Sequence, residues 1–150
     1  MKAIPVSQIS MLKAVLNRLV PPGGNFPGAG DLDLIDHLDH VACASPRARR
    51  MFLEGVRQIA LESERRHGKE FETLASDEQD AVLRHVETGH RPFFEAFVGE
   101  VYQAYYSHPT VVALLGLDAR PPQPLGHALP LFDAAIMRST AGRAAIYRKP

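Results

Sequence analysis

Apolar residues recur along this chain at helical spacing. Ile9, Leu12, Leu16 and Leu19 fall three or four positions apart, which places them on one face of a first helix that Ser7 can cap. Pro21-Pro22-Gly23-Gly24 stops that helix, and a loop runs on through Asn25-Phe26-Pro27-Gly28-Ala29-Gly30. Asp31 is the expected cap of a second helix, with Leu34, Ile35, Leu38, Val41 and Ala42 turned inward. Ser45-Pro46 is a start signal, a cap residue followed by proline at the first helical position. The third helix runs to about His67 with Phe52, Val56, Ile59 and Ala60 on its buried stripe, and Gly68 ends it. Phe71-Glu72-Thr73-Leu74 reads as a linking turn. Ser76 and Gln79 form the expected capping box of a fourth helix that buries Val82, Leu83 and Val86 and stops at Gly89. His90-Arg91-Pro92 opens a fifth helix carrying Phe93, Phe94, Phe97, Val101, Tyr102 and Tyr105, and Pro109-Thr110 starts a short one ending at Gly116.

The last part of the chain differs. Residues 119–131 hold four prolines, a composition that favours a stiff, extended backbone, with a weak helical pattern over Phe132–Ser139 after it. No segment reads as a strand. The expectation is an all-α, single-domain helical bundle of about five main helices over residues 1–118, followed by an extended proline-rich C-terminal arm over residues 119–150 that is not a separate domain.

Composition narrows the function classes. Seventeen Lys and Arg balance seventeen Asp and Glu, so the formal net charge is zero. That balance argues against nucleic acid held mainly by a basic face, and it removes the usual charge-based protection against self-association. A single cysteine, Cys43, rules out an internal disulfide. No apolar run is long enough to span a membrane. Met1–Val20 has its apolar residues interleaved with Gln8, Ser10, Lys13, Asn17 and Arg18, so it does not read as a secretory signal. The adjacent arginine pairs, Arg49-Arg50 and Arg65-Arg66, lie far from the start. The expected location is cytoplasmic for the sequence as written, and periplasmic if a twin-arginine signal once preceded it.

The order of these signals resembles the gluconate 2-dehydrogenase subunit 3 family. The pieces are Leu19-Val20-Pro21-Pro22, Phe26-Pro27-Gly28-Ala29, Asp31-Leu32-Asp33-Leu34-Ile35-Asp36 and Phe52-Leu53-Glu54-Gly55-Val56. They continue with Gly68-Lys69-Glu70-Phe71-Glu72-Thr73-Leu74, Glu78-Gln79, Pro92-Phe93-Phe94 and Tyr105-Tyr106-Ser107-His108-Pro109. The resemblance covers about residues 8–130. It implies a non-catalytic partner of a large flavin-dependent oxidoreductase of the glucose–methanol–choline type, acting on sugars, glycosides or other alcohols. FAD would then sit in the large subunit, with no cofactor in this chain. Many family members carry a twin-arginine signal and escort the large subunit; this chain lacks that signal, which leaves assembly and stability as the implied role. Arg120-Pro121-Pro122-Gln123-Pro124-Leu125-Gly126 looks like a sub-branch of the family, and a tryptophan common near the end of other members is absent.

Candidate chemistry within the chain is sparse. His37 and His40 stand at i, i+3 beside Asp33, Asp36 and Asp39; they could begin a metal site or be a solvated acidic face whose imidazoles pair with carboxylates. His85 and His90 flank a helix end, and neither has a nucleophile beside it in sequence. Cys43 ends an apolar stripe, where a buried, inert thiol is expected. No Gly-x-Ser-x-Gly turn and no strand-led Gly-x-Gly-x-x-Gly is present. Arg47, Arg49, Arg50 and Arg57 cluster on the third helix, a pattern that nucleic acid could use but that Glu54, Glu62 and Glu64 on the same helix make better suited to a solvated face or to salt bridges with another protein.

The stronger signal is aromatic. Phe94, Phe97, Val101 and Tyr105 make one core stripe, so Phe93, Tyr102 and Tyr106 are expected off it, where interface anchors sit. With His108 and the arm residues Arg120, Pro121, Pro122, Pro124, Leu125, Leu129 and Phe132, they form the expected partner-binding set. Two alternatives stay open: a homo-oligomeric helical scaffold, and a small metal-dependent enzyme using His37 and His40.

Overall fold

The computed structural model describes residues 3–116, and those residues fold into helices joined by tight turns. The helices are α1 (Ile9–Leu19), α2 (Ile35–Cys43), α3 (Pro46–His67), α4 (Ser76–Gly89), α5 (Arg91–Ser107) and the short α6 (Pro109–Leu114). Single 3-10 turns occupy Val6–Gln8, Ala29–Asp31 and Phe71–Thr73. The all-α expectation and its five main helices hold; among the described residues there is no strand, only an isolated bridge between Gly23 and Phe26 in the loop after α1. The expectations on residues 119–150, including Arg120, Pro121, Pro122, Pro124, Leu125, Leu129 and Phe132, lie outside the described residues.

The core forms because each helix contributes an apolar stripe to one cluster. Leu12 and Leu16 of α1, Leu38 of α2, Val56 and Ile59 of α3, Val82 and Val86 of α4, and Phe97 and Val101 of α5 are all fully buried in it. Phe71 seals one end from its 3-10 turn, and Gln79 reaches in from α4 to donate to the Phe71 carbonyl at 2.9 Å. Gln79 is thus an interior residue and not the capping-box partner. The box belongs to Glu78, whose carboxylate accepts from the Ala75 amide at 2.9 Å, so the helix is capped one residue earlier than the pattern suggests.

Other ends follow the sequence or depart from it for local reasons. Ser45 Oγ accepts from the Ala48 amide at 3.0 Å, and Gly68 ends α3 at φ 62°, a conformation that favours glycine. Ser7 makes no side-chain cap; a 3-10 turn leads into α1. Asp31 does not cap α2 either. Its carboxylate accepts from the Gly28 amide and from Asn17 Nδ2, both at 3.2 Å, and so folds the loop back onto α1. Ala60 faces solvent at the position expected to be core.

Polar clasps join the helices. Arg18 holds Asp80 through two bonds of 2.8 and 2.7 Å, tying α1 to α4. Asp39 Oδ1 accepts from the amides of both Ala3 and Ile4, at 2.7 and 2.8 Å, which fixes the buried start of the described chain beside α2. No described helix is long and apolar enough to cross a membrane.

Candidate functional site

Helix α5 is the aromatic centre of the bundle. Phe93, Phe94, Phe97, Val101, Ala104 and Tyr105 are buried on it. The burial of Phe93 corrects the sequence reading, which placed that side chain outside the core as a docking anchor. Phe93 is only 4% exposed. Its ring stacks on Phe97 at 5.5 Å and meets Phe52 edge-on at 6.2 Å, lying over Gly55 of α3, where the missing side chain makes room for it. Because α5 packs against both α3 and α4, its covered face is wider than a single stripe, and adjacent positions 93 and 94 both fall within it.

Tyr102 and Tyr106 are what α5 leaves outside, at 44% and 55% exposure. One helical turn apart, their rings lie 6.3 Å centre to centre. Tyr106 also meets the buried Tyr105 ring edge-on at 5.3 Å. Tyr105 in turn donates from its hydroxyl to the Pro27 carbonyl at 2.8 Å. Tyr106, and through it Tyr102, therefore rests on a ring fixed at its far end by a hydrogen bond. Rigid aromatic side chains held this way lose little freedom when another surface covers them. Leu114 and Leu115, also exposed, follow at the end of α6. His108 is half-buried at the start of that helix, its Nδ1 accepting from the Thr110 amide at 3.3 Å, so it serves α6 locally.

Burial holds the Tyr105 phenol above its ordinary value, with the neighbouring Tyr106 adding to the effect. The folded state therefore favours the neutral phenol. That contribution to stability is complete below the unfolded tyrosine value of about 10 and is lost as pH rises from there through the raised value of the folded state. Tyr105→Phe is expected to cost about 1 kcal/mol at neutral pH through the unmatched Pro27 carbonyl and to flatten the alkaline fall of the melting temperature. Melts across neutral to alkaline pH check this, and equally steep alkaline limbs in the two proteins would refute it.

His37 and His85 each pair with charged side chains. His37 Nε2 lies 3.0 Å from Glu100 Oε2, so it bridges α2 to α5 instead of pairing with the aspartates of its own helix. Asp39 is committed to the backbone amides of Ala3 and Ile4, and His40 is exposed. Among the described residues no three His, Cys, Asp or Glu side chains come together as a metal ligand set. His85 Nδ1 receives Arg66 at 2.7 Å, with Glu62 3.5 Å from its other nitrogen. Cys43 is exposed, not buried, because α2 ends there and turns its last residue outward.

Hollows occur at several places on the described surface. One, of about 420 Å³, lies between the start of α2 and the α5–α6 corner, lined by Asp33, His37, Ser107 and His108. Another, of about 350 Å³, lies between the start of α1, α3 and the 3-10 turn at Phe71, lined by Met11, Leu61, Phe71, Arg57 and Lys69 among others. The exposed aromatic ledge is the feature that the rest of the fold does not explain.

The family model for gluconate 2-dehydrogenase subunit 3 matches residues 6–116. No curated protein and no solved structure matches the chain. The match spans most of the sequence and nearly all of the described bundle, and the chain belongs to the gluconate 2-dehydrogenase subunit 3 family.

Proposed function

We propose that this chain is a non-catalytic accessory subunit that binds and stabilises a large FAD-dependent oxidoreductase subunit acting on sugars, glycosides or other alcohols. Family membership supports a place in a dehydrogenase complex. The observation that carries the docking role is the Tyr102–Tyr106 ledge, two large aromatic rings kept outside a bundle that buries its other α5 aromatics. Covering that ledge removes apolar surface from water on both partners. Binding to the folded large subunit raises its folded population by mass action, which is how a chain with no catalytic group sustains an enzyme's activity. Flavin and substrate belong to the large subunit.

The test is retention of the partner. The tagged chain, produced in its native host, is expected to co-purify with a much larger, flavin-coloured subunit. Tyr102→Asp with Tyr106→Asp is expected to weaken that association by about 2 kcal/mol or more while leaving the chain's own melting temperature nearly unchanged, since both rings are exposed. Unaltered retention by the double variant would remove the ledge from the interface. A large subunit that is soluble and fully active without this chain would remove the accessory role itself.

A further inference from the structure

Helix α3 treats its two ends in opposite ways. At its C-terminal end Arg65 and Arg66 both close on Glu62, with bonds of 2.9 to 3.0 Å. Those cations face the negative end of the helix dipole, and their hydrogen bonds, that from Arg65 foremost, hold the Glu62 carboxyl below its ordinary value. At the N-terminal end stand Arg47, Arg49 and Arg50, with no acidic residue in the first turn. Among the described residues none of these three forms an ion pair. Glu54, one turn beyond Arg50, is turned away to accept from Gln58 at 2.7 Å. Three cations thus stand in the first turns at the positive end of a helix, where the dipole opposes them, and Arg47 and Arg50, three apart, also repel each other. Folding gains nothing from that arrangement.

The surroundings suit a protein ligand. Arg49 lines a hollow of about 460 Å³ with Cys43, Ser45 and Pro46 at the α2–α3 corner. Met51, the next residue after Arg50, exposes its thioether side chain beside the arginines. Cations around an adaptable apolar side chain fit a mixed protein surface better than a phosphate backbone, and the zero net charge of the chain gives no broad field for nucleic acid. We propose that Arg47, Arg49 and Arg50 form a second docking edge, for an acidic segment of the large subunit. This rests on the accessory-subunit reading and names the chemistry of the partner at one point of contact.

Two measurements keep the proposal and that reading separable. In the first, the full chain is titrated into labelled poly-glutamate at low salt and followed by fluorescence anisotropy. Arg47→Glu, Arg49→Glu and Arg50→Glu together are expected to weaken binding by about tenfold or more, the matching glutamines by less, and Arg84→Glu, an equal charge change per site on α4, hardly at all. The glutamate variant is expected to melt no lower than the wild type, because acids suit a helix start. Binding unmoved by the triple variants overturns the proposal, as does tighter binding of duplex DNA than of poly-glutamate. In the second, the same variants are used to retain the large subunit from the native host. Loss with the triple variant and not with Arg84→Glu supports the proposal. Equal retention by wild type and triple variant overturns it while the accessory reading stands. A wild-type chain that retains no large subunit overturns both.

Discussion

Phe93→Ala is expected to destabilise the bundle by about 3–5 kcal/mol, the usual cost of emptying a buried aromatic site. The ring touches Phe52 and Phe97 and lies over Gly55, so its loss opens space between α3 and α5. The reciprocal change is sharper as a test. A Cβ at position 55 would lie 2.1 Å from the Phe93 ring, far inside contact distance. Gly55→Ala alone is therefore expected to cost about 1–3 kcal/mol by overpacking. In the Phe93→Ala background the same methyl enters vacated space, and alanine is better than glycine in a helix interior by about 1 kcal/mol. Gly55→Ala should then be neutral or stabilising. Urea unfolding of the four proteins in this cycle checks it, and simple additivity would show that ring and glycine do not interlock.

The second large effect is expected at Gly30. A Cβ there would lie 2.1 Å from the main-chain carbonyl oxygen of Lys13, within α1. A side chain can swing aside, but a helix backbone cannot without losing its own hydrogen bonds. The Gly30 amide also donates to Asn17 Oδ1 at 2.7 Å, so lifting the loop off α1 unmatches that pair as well. Gly30→Ala is expected to cost at least as much as the upper end of the overpacking range, about 3 kcal/mol. It should exceed the cost of the same change at Gly23, where nothing lies within 4 Å of the added carbon. Thermal melts of the two variants decide the matter; equal melting temperatures would show that the loop is not seated on α1 as described.

Much of this fold could be read from local signals. Proline and glycine punctuate the chain where helices begin and end: Ser45-Pro46, Gly68 and Pro109 all mark boundaries that the structure keeps. What failed needed knowledge of a neighbour. Phe93 looked surplus to one stripe because a single helix gives no hint that two others cover it. Gly55, set within Phe52-Leu53-Glu54-Gly55-Val56, was a visible notch, yet nothing in the sequence says which ring fills it. Asp31 looked like a cap for the helix after it but serves the loop before it, through Asn17 on a different helix. Glu100, the partner of His37, lies 63 residues away and has no sequence mark that distinguishes it. Tyr102 and Tyr106 were legible as off-stripe residues, and the structure places both outside; the ring stack that supports them depends on Tyr105 and so could not be read.

The bond from Tyr105 to Pro27 spans 78 residues. Its partners lie near opposite ends of the described bundle, and the entropy of closing so long a loop must be met before the bond can form. The α3–α4 pair, by contrast, joins neighbours in sequence. A chain emerging from the ribosome presents Pro27 long before Tyr105 exists. The loop around Ala29 and Gly30 can seat on α1 through Val20 and Asn17 without that bond, whereas the Tyr105 ring beneath Tyr106 is tied to the loop only once α5 is in place. The support of the exposed tyrosine pair is thus a property of the whole bundle and not of α5 alone, so a chain cut before Tyr105 has neither the pair nor the ring beneath it.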